Sequence, residues 1–153
     1  MHKRLDENIQ NITPVGFPLL FIATLAELIL QMGDATNVMM YNLGEPFLQA
    51  LREAVINAVC HRDYTTSGNV QIRIFDSRVQ IWSPGELPDG VTVDLLRVEH
   101  ASRPRNKTIA RLLFLAGYIE QWGSGTLSMI AACKRDGLAD PQFKETGSDF
   151  VVT

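Results

Sequence analysis

Cysteine is scarce in this chain of 153 residues, and Cys60 and Cys133 share no CxxC spacing. That excludes a disulfide scaffold and fits two reduced thiols in a cytoplasmic protein. His2, His61 and His100 show no metal-ligand spacing. Basic residues are outnumbered, 14 Lys and Arg against 17 Asp and Glu, giving a net charge of −3. A domain whose main task is to grip nucleic acid is normally basic. DNA contact is therefore expected only through a separate domain or partner chain. No signal peptide is expected. The most apolar stretch, Phe17 to Met32, is shorter than a typical membrane span and carries Glu27. Its Leu19, Ile22, Leu25, Ala26 and Ile29 predict a docked amphipathic helix, and no membrane partner is expected. There is no internal repeat, no low-complexity tract and no G-x-x-x-x-G-K-[ST] loop, so a helicase motor is excluded.

What is present is an apolar fraction of 46% and a charged fraction of 20%, enough for a folded core without staples. Residues 1–45 read as a helical extension broken at "ITPVGFP" and "QMGDATN". Residues 46–153 read as one domain. Gly44 and Pro46 mark a helix start, and the helix runs through "FLQALREAVINAVCH". "VQIRIFDSRVQIW" alternates apolar and polar residues on both sides of Asp76-Ser77, which predicts a β-hairpin. A short helix capped by Thr92, the helix "IARLLFLAGY" stopped near Gly117, and the helix "TLSMIAACKRDG" ending at Gly137 follow. "GLADPQFKETGS" reads as a loop and "DFVVT" as a final strand. Helix, hairpin, helices and strand in that order predict an α+β fold.

The triplet His61-Arg62-Asp63 matches the start of a protein-kinase catalytic loop, with Asp63 as the base. The context excludes that reading. The metal-binding Asn expected five residues after Asp63 is Gly68, and no Asp-Phe-Gly follows. The helix before the triplet is more informative. Leu48, Leu51, Val55 and Val59 share a core arc, while Glu53, Asn57 and His61 fall at i, i+4 and i+8, flanked by the small Ala54 and Ala58. A carboxylate can hold and polarise a water, and an amide oxygen can help hold Mg²⁺ against phosphates. A plain solvated helix face has the same spacing, so these residues alone leave both readings open.

Three further segments favour chemistry. "LREAVINAVCHRDY" resembles the Glu-x-x-x-Asn box of the Bergerat-fold ATPases: DNA gyrase, the large heat-shock chaperones, sensor histidine kinases and mismatch-repair proteins. "SPGELPDG" stands where those families carry Asp-x-Gly-x-Gly, with Gly85 at the first glycine, Ser83 at the adenine-reading Asp and Leu87 at the second glycine. "GSGTLSMI" is similar to their glycine run opening a helix, and "GSDFVVT" to their Gly-Thr-x-Phe entry into the last strand. Residues 45–153 more specifically resemble the RecG-helicase-related C-terminal ATP-binding domain found in many proteins labelled transcriptional regulators. Its usual forms are Ala-x-x-His-Arg-Asp-Tyr, Asn-Pro-Gly-Gly-Leu-Pro, Arg-Asn-Pro and Gly-Ser-Gly; Ser83, Glu86 and Lys107 depart from them.

The resemblance implies a two-layer α/β sandwich of the Bergerat (GHKL) type that takes ATP and Mg²⁺. It implies Glu53 as the residue orienting the attacking water, Asn57 as the Mg²⁺ ligand, and Gly85 as the close approach for the base. Gly123, Ser124 and Gly125 would hold phosphates through backbone N–H groups at a helix N-terminus. Ser83 and Ser148 would stand in the adenine region, with Arg103, Arg105 and Lys107 on the lid segment. Hydrolysis is left open, as is a homodimer. The competing reading is a catalytically degenerate regulatory or dimerisation module, to which Ser83 and Glu86 point. His61 is expected to edge the same pocket, with Arg62, Asp63 and Tyr64 building the turn into the hairpin.

Overall fold

The computed structural model describes residues 44–119 and 124–153, which belong to a unit running from Asn42 to Thr153. The helical extension expected over residues 1–45 lies outside the described residues apart from its last two. Helix α1 (Glu45–His61), strands β1 (Gln71–Phe75) and β2 (Arg78–Pro84), and a 3-10 turn (Asp94–Arg97) come first. Helices α2 (Lys107–Leu115) and α3 (Gly125–Arg135) and strands β3 (Phe143–Thr146) and β4 (Asp149–Val152) follow. The architecture is α+β, with one antiparallel sheet in the order β1-β2-β4-β3.

Helix α1 begins where Gly44 and Pro46 predict. Proline is tolerated there because its missing N–H would find no helical partner. Gly44 has no side chain to cap with, so the cap comes from a distant segment. The Asp136 carboxylate, just past the end of α3, accepts from the Phe47 N–H at 2.9 Å. A negative charge at this end also suits the helix dipole. Beside it, Arg135 donates to Gln49 Oε1 at 2.6 Å. The start of α1 thus meets the end of α3, and the start of α3 meets the middle of α1 at Gly125. The two helices run antiparallel.

Of the expected core arc, Val55 and Val59 are buried but Leu48 and Leu51 are only half-buried, while Ala50, Ala54 and Ala58 are buried as well. Ala50, Glu53, Ala54 and Asn57 fall at i, i+3, i+4 and i+7, on the face that α3 follows. The small side chains let α3 come close, and α3 answers with the fully enclosed Ala132 and with Met129.

The β1–β2 hairpin turns at Asp76-Ser77, pairing Ile74 with Val79 and Ile72 with Ile81. β2 pairs onward with β4, and Ile81, Val152 and Phe143 line up across three strands and are buried. β3 is a correction: residues 143–146 were expected to be loop. "FKET" has a single apolar residue, so its alternation carries almost no signal. It is a strand because the turn at Gly147-Ser148 folds it against β4 in register, Phe143 against Val152.

Candidate functional site

Glu53 and Asn57 stand one helical turn apart, and the Asn57 amide donates to Glu53 Oε1 at 3.2 Å. Their face meets the first residue of α3. A Cβ added at Gly125 would collide with Glu53 Oε1 and lie 3.3 Å from Asn57 Nδ2. Only glycine lets the backbone approach the carboxylate this closely. Ser124 precedes it as the N-cap and makes no side-chain capping bond. Gly123 lies outside the described residues. Thr126, the next residue of α3, has a buried hydroxyl oxygen with no hydrogen-bond partner among the described residues. Such a group costs about 1–3 kcal/mol when left unpaired, so its place in the wall of a cleft is chemically informative.

That cleft runs from Glu53 and Asn57 to the loop after β2, with apolar walls that include Ile81, Leu96, Met129 and Phe150. Its volume is about 120 Å³. Pockets for drug-sized ligands usually span about 300–1,000 Å³, so a whole nucleotide enters only if a wall moves.

Ser83 is buried in the cleft wall, and its hydroxyl donates to the Ala58 carbonyl at 2.9 Å. The hydroxyl proton is committed to α1, which leaves the oxygen facing any ligand as an acceptor. Gly85 adopts φ +123°, a conformation that L side chains rarely adopt. A Cβ there would also press on Asp63 N at 3.1 Å and His61 O at 3.3 Å. Its N–H donates to Ser148 O at 2.7 Å. Ser148 itself is exposed in the β3–β4 turn and does not line the cleft.

The three lid cations separate. Arg103 lines the cleft and reaches the Asp89 carbonyl at 3.5 Å. Arg105 lies outside it, donating to the Glu86 carbonyl at 2.7 Å and facing Asp63 Oδ2 at 3.8 Å. Lys107 opens α2, also outside the cleft. Glu86 is in the cleft wall.

The His61-Arg62-Asp63 triplet builds the turn. Asp63 accepts from the Thr65 N–H at 2.8 Å and from its hydroxyl at 2.6 Å. These bonds, then Arg105 and Arg62, hold its carboxyl below the usual range. The Arg62 guanidinium donates to the Gly68 carbonyl and lies over the Tyr64 ring. The Tyr64 hydroxyl donates to Val59 O at 3.2 Å. His61 does face the cleft, and burial, followed by Arg105 and His100, lowers its pKa. Cys60 also lines the cleft, but burial and then Glu53 push its thiol up to about 12, so it is no nucleophile.

Sequence reasoning overlooked Asn106. Its amide donates to the carbonyls of both Cys60, at 3.0 Å, and Arg62, at 2.8 Å. Helix α1 ends without a glycine, so its last carbonyls need outside donors, and Asn106 supplies them. The missing C-terminal glycine was the only available cue. Thr126 and Asp136 were overlooked too, because nothing local marks a side chain that serves another helix.

Residues 67–153 match the family described as "Putative ATP-dependent DNA helicase recG C-terminal". Among solved structures, the chain is similar to the DIP2311 protein from Corynebacterium diphtheriae, with 28% identity and a TM-score of 0.62. That match covers 69% of this chain and 22% of the other, so the chain spans about a fifth of that protein's length. No curated protein matches the chain.

Proposed function

The chain belongs to the RecG C-terminal family, and from that premise we propose that its α1–α3 cleft binds ATP together with Mg²⁺. The observation that carries this reading is the convergence at Gly125. A carboxylate, an amide and a hydroxyl with no partner among the described residues meet at the N-terminus of an 11-residue helix inside an apolar cleft. A helix N-terminus favours phosphate, and apolar walls favour a base.

The donor set fits magnesium brought in on a nucleotide. Glu53 and Asn57 offer hard oxygen atoms, the kind Mg²⁺ takes alongside substrate phosphates. Among the described residues no group of three or more His, Cys, Asp or Glu side chains forms a self-sufficient metal cage. When bound, the ion neutralises phosphate charge. Asn57 is the side-chain ligand in this reading, and Glu53 holds a water by accepting its proton in a hydrogen bond. Gly125 and Ser124 lend backbone N–H groups to the phosphates, with Gly123 beside them. Gly85 lets the base approach the backbone, and the fixed lone pairs of Ser83 accept from an N–H on the base edge. Arg103 supplies the lid cation.

The domain is then a Bergerat-type module of a cytoplasmic transcriptional regulator, acting without a helicase motor. A second reading, a regulatory or dimerisation module without turnover, is favoured by one observation. Ser83 replaces a charged acceptor with a neutral hydroxyl already bonded to Ala58. Phosphate release from Mg-ATP separates the two. Turnover by the wild type that falls at least tenfold in Glu53→Gln supports hydrolysis. Binding without turnover, in both proteins, supports the regulatory module. Absence of any thermal shift with millimolar Mg-ATP contradicts nucleotide binding altogether, since a ligand at about 100 times its Kd stabilises by about 2.7 kcal/mol.

A further inference from the structure

Outside the cleft lies a second depression of about 790 Å³, lined by Arg103, Lys107, Arg111, Phe114 and Leu115 with Ser102 and Pro104. Four of these residues, Ser102, Arg103, Pro104 and Phe114, also border the cleft, whereas Lys107, Arg111 and Leu115 do not. The local charge contradicts the acidic average of the chain. No Asp or Glu occurs between Glu99 and Glu120, yet Arg103, Arg105, Lys107 and Arg111 all do.

One of these four cations is neutralised internally, Arg105 by Asp63. Lys107 and Arg111 have no ion-pair partner among the described residues; the pairs there are Arg105–Asp63 and Lys134–Asp140. Among the described residues, Arg103 reaches only the Asp89 carbonyl, at 3.5 Å. Helix α2 aggravates the imbalance. Its first turn holds no acid and opens on Lys107, so a cation sits at the positive end of the dipole. Asn106 makes no capping bond to α2, because its amide is spent on α1. These cations are exposed, so water solvates them in the free protein and they are open to an external anion.

The floor narrows the choice of anion. Phe114 is 43% exposed and Leu115 70% exposed, beside the cations. Inorganic phosphate or a purely acidic peptide such as polyglutamate answers the charges and leaves the aromatic ring uncovered. A chain of phosphates carrying flat bases answers both, since bases stack on aromatic rings without regard to sequence. We propose that this groove binds single-stranded nucleic acid, with Arg103, Lys107 and Arg111 on phosphates and Phe114 under a base. A net charge of −3 does not oppose this, because the electrostatic footprint is a local patch. The proposal does not depend on nucleotide binding in the cleft.

The test is fluorescence anisotropy of the full chain with fluorescein-labelled oligothymidylate and oligouridylate of about 20 nucleotides. Binding is expected to weaken with salt at a log–log slope near −2, from about 0.7 per phosphate contact and three cations. Lys107→Glu with Arg111→Glu should lose at least tenfold. Phe114→Ala should lose about fivefold or more, and thermal melts should show that all variants are folded. The tighter of the two oligonucleotides then assigns DNA or RNA. No binding at low salt, equal binding by the charge-reversed protein, or equal binding of polyglutamate would overturn the proposal. Displacement of the oligonucleotide by Mg-ATP, with weaker ATP binding in the charge-reversed protein, would also overturn it and make the groove an arm of the cleft.

Discussion

The two depressions of this domain share a rim at Arg103 and differ in how their polar groups are satisfied. In the cleft, Thr126 apart, the polar groups are bonded internally: Asn57 to Glu53, Ser83 to Ala58, and the backbone of Gly85 to Ser148. In the groove, Lys107 and Arg111 have no ion-pair partner among the described residues and line the same depression as the exposed Phe114 and Leu115. A pre-bonded site holds its groups in place and makes a ligand compete for them. An unpaired cationic site attracts from a distance and fades with salt. Mutations in the cleft should therefore register in stability as well as binding, and mutations in the groove in binding alone.

The most disruptive test of this contrast is Asn106→Ala, behind the cleft. It removes the side-chain amide that serves the carbonyls of Cys60 and Arg62; Cys60 keeps the Asn106 backbone N–H at 3.1 Å, so the Arg62 carbonyl loses most. Urea unfolding should show a loss of about 1–3 kcal/mol. A loss no larger than that of an exposed substitution, within about 0.5 kcal/mol, would mean that α1 does not depend on this clamp.

Ser83→Ala should cost less, about 0.5–1.5 kcal/mol, because the Ala58 carbonyl keeps the Arg62 N–H at 3.0 Å. The same unfolding experiment measures it. An unchanged stability would show that the hydroxyl is not committed to α1.

The smallest effect concerns pH. Burial, followed by Arg105 and His100, lowers the His61 pKa in the folded state. The unfolded chain accepts a proton near the ordinary value of about 6.5, where the folded chain still refuses it. This contribution to stability is complete above about pH 6.5 and is lost as pH falls toward the lowered folded value. Melts from about pH 7.5 to about pH 5.5 should show His61→Gln declining less steeply than the wild type.

Much of this was legible because periodicity is local. The Val55 and Val59 half of the α1 core arc, the hairpin turn at Asp76-Ser77 and the Glu53–Asn57 spacing follow from residues a few positions apart. What was not legible depends on distant neighbours. Lys144 and Glu145 carry no strand signal until β4 pairs with them. Asp136 caps a helix 89 residues away. Lys107 and Arg105 are two residues apart in a segment read as one lid, yet one faces the groove and the other is tied to Asp63 and Glu86. Asp63 shows the reverse: a three-letter motif advertised a catalytic base, and its carboxylate is occupied by Thr65.

The central claim is that the face of α1 at Glu53 and Asn57, set against Gly125, is a Mg-nucleotide site. Isothermal titration of Mg-ATP into the wild type and into Asn57→Ala tests it most directly. The wild type should give measurable heat, lost or weakened at least tenfold in the variant and in wild type titrated without magnesium. Equal binding by wild type and Asn57→Ala, or no binding by a folded wild type, would contradict it.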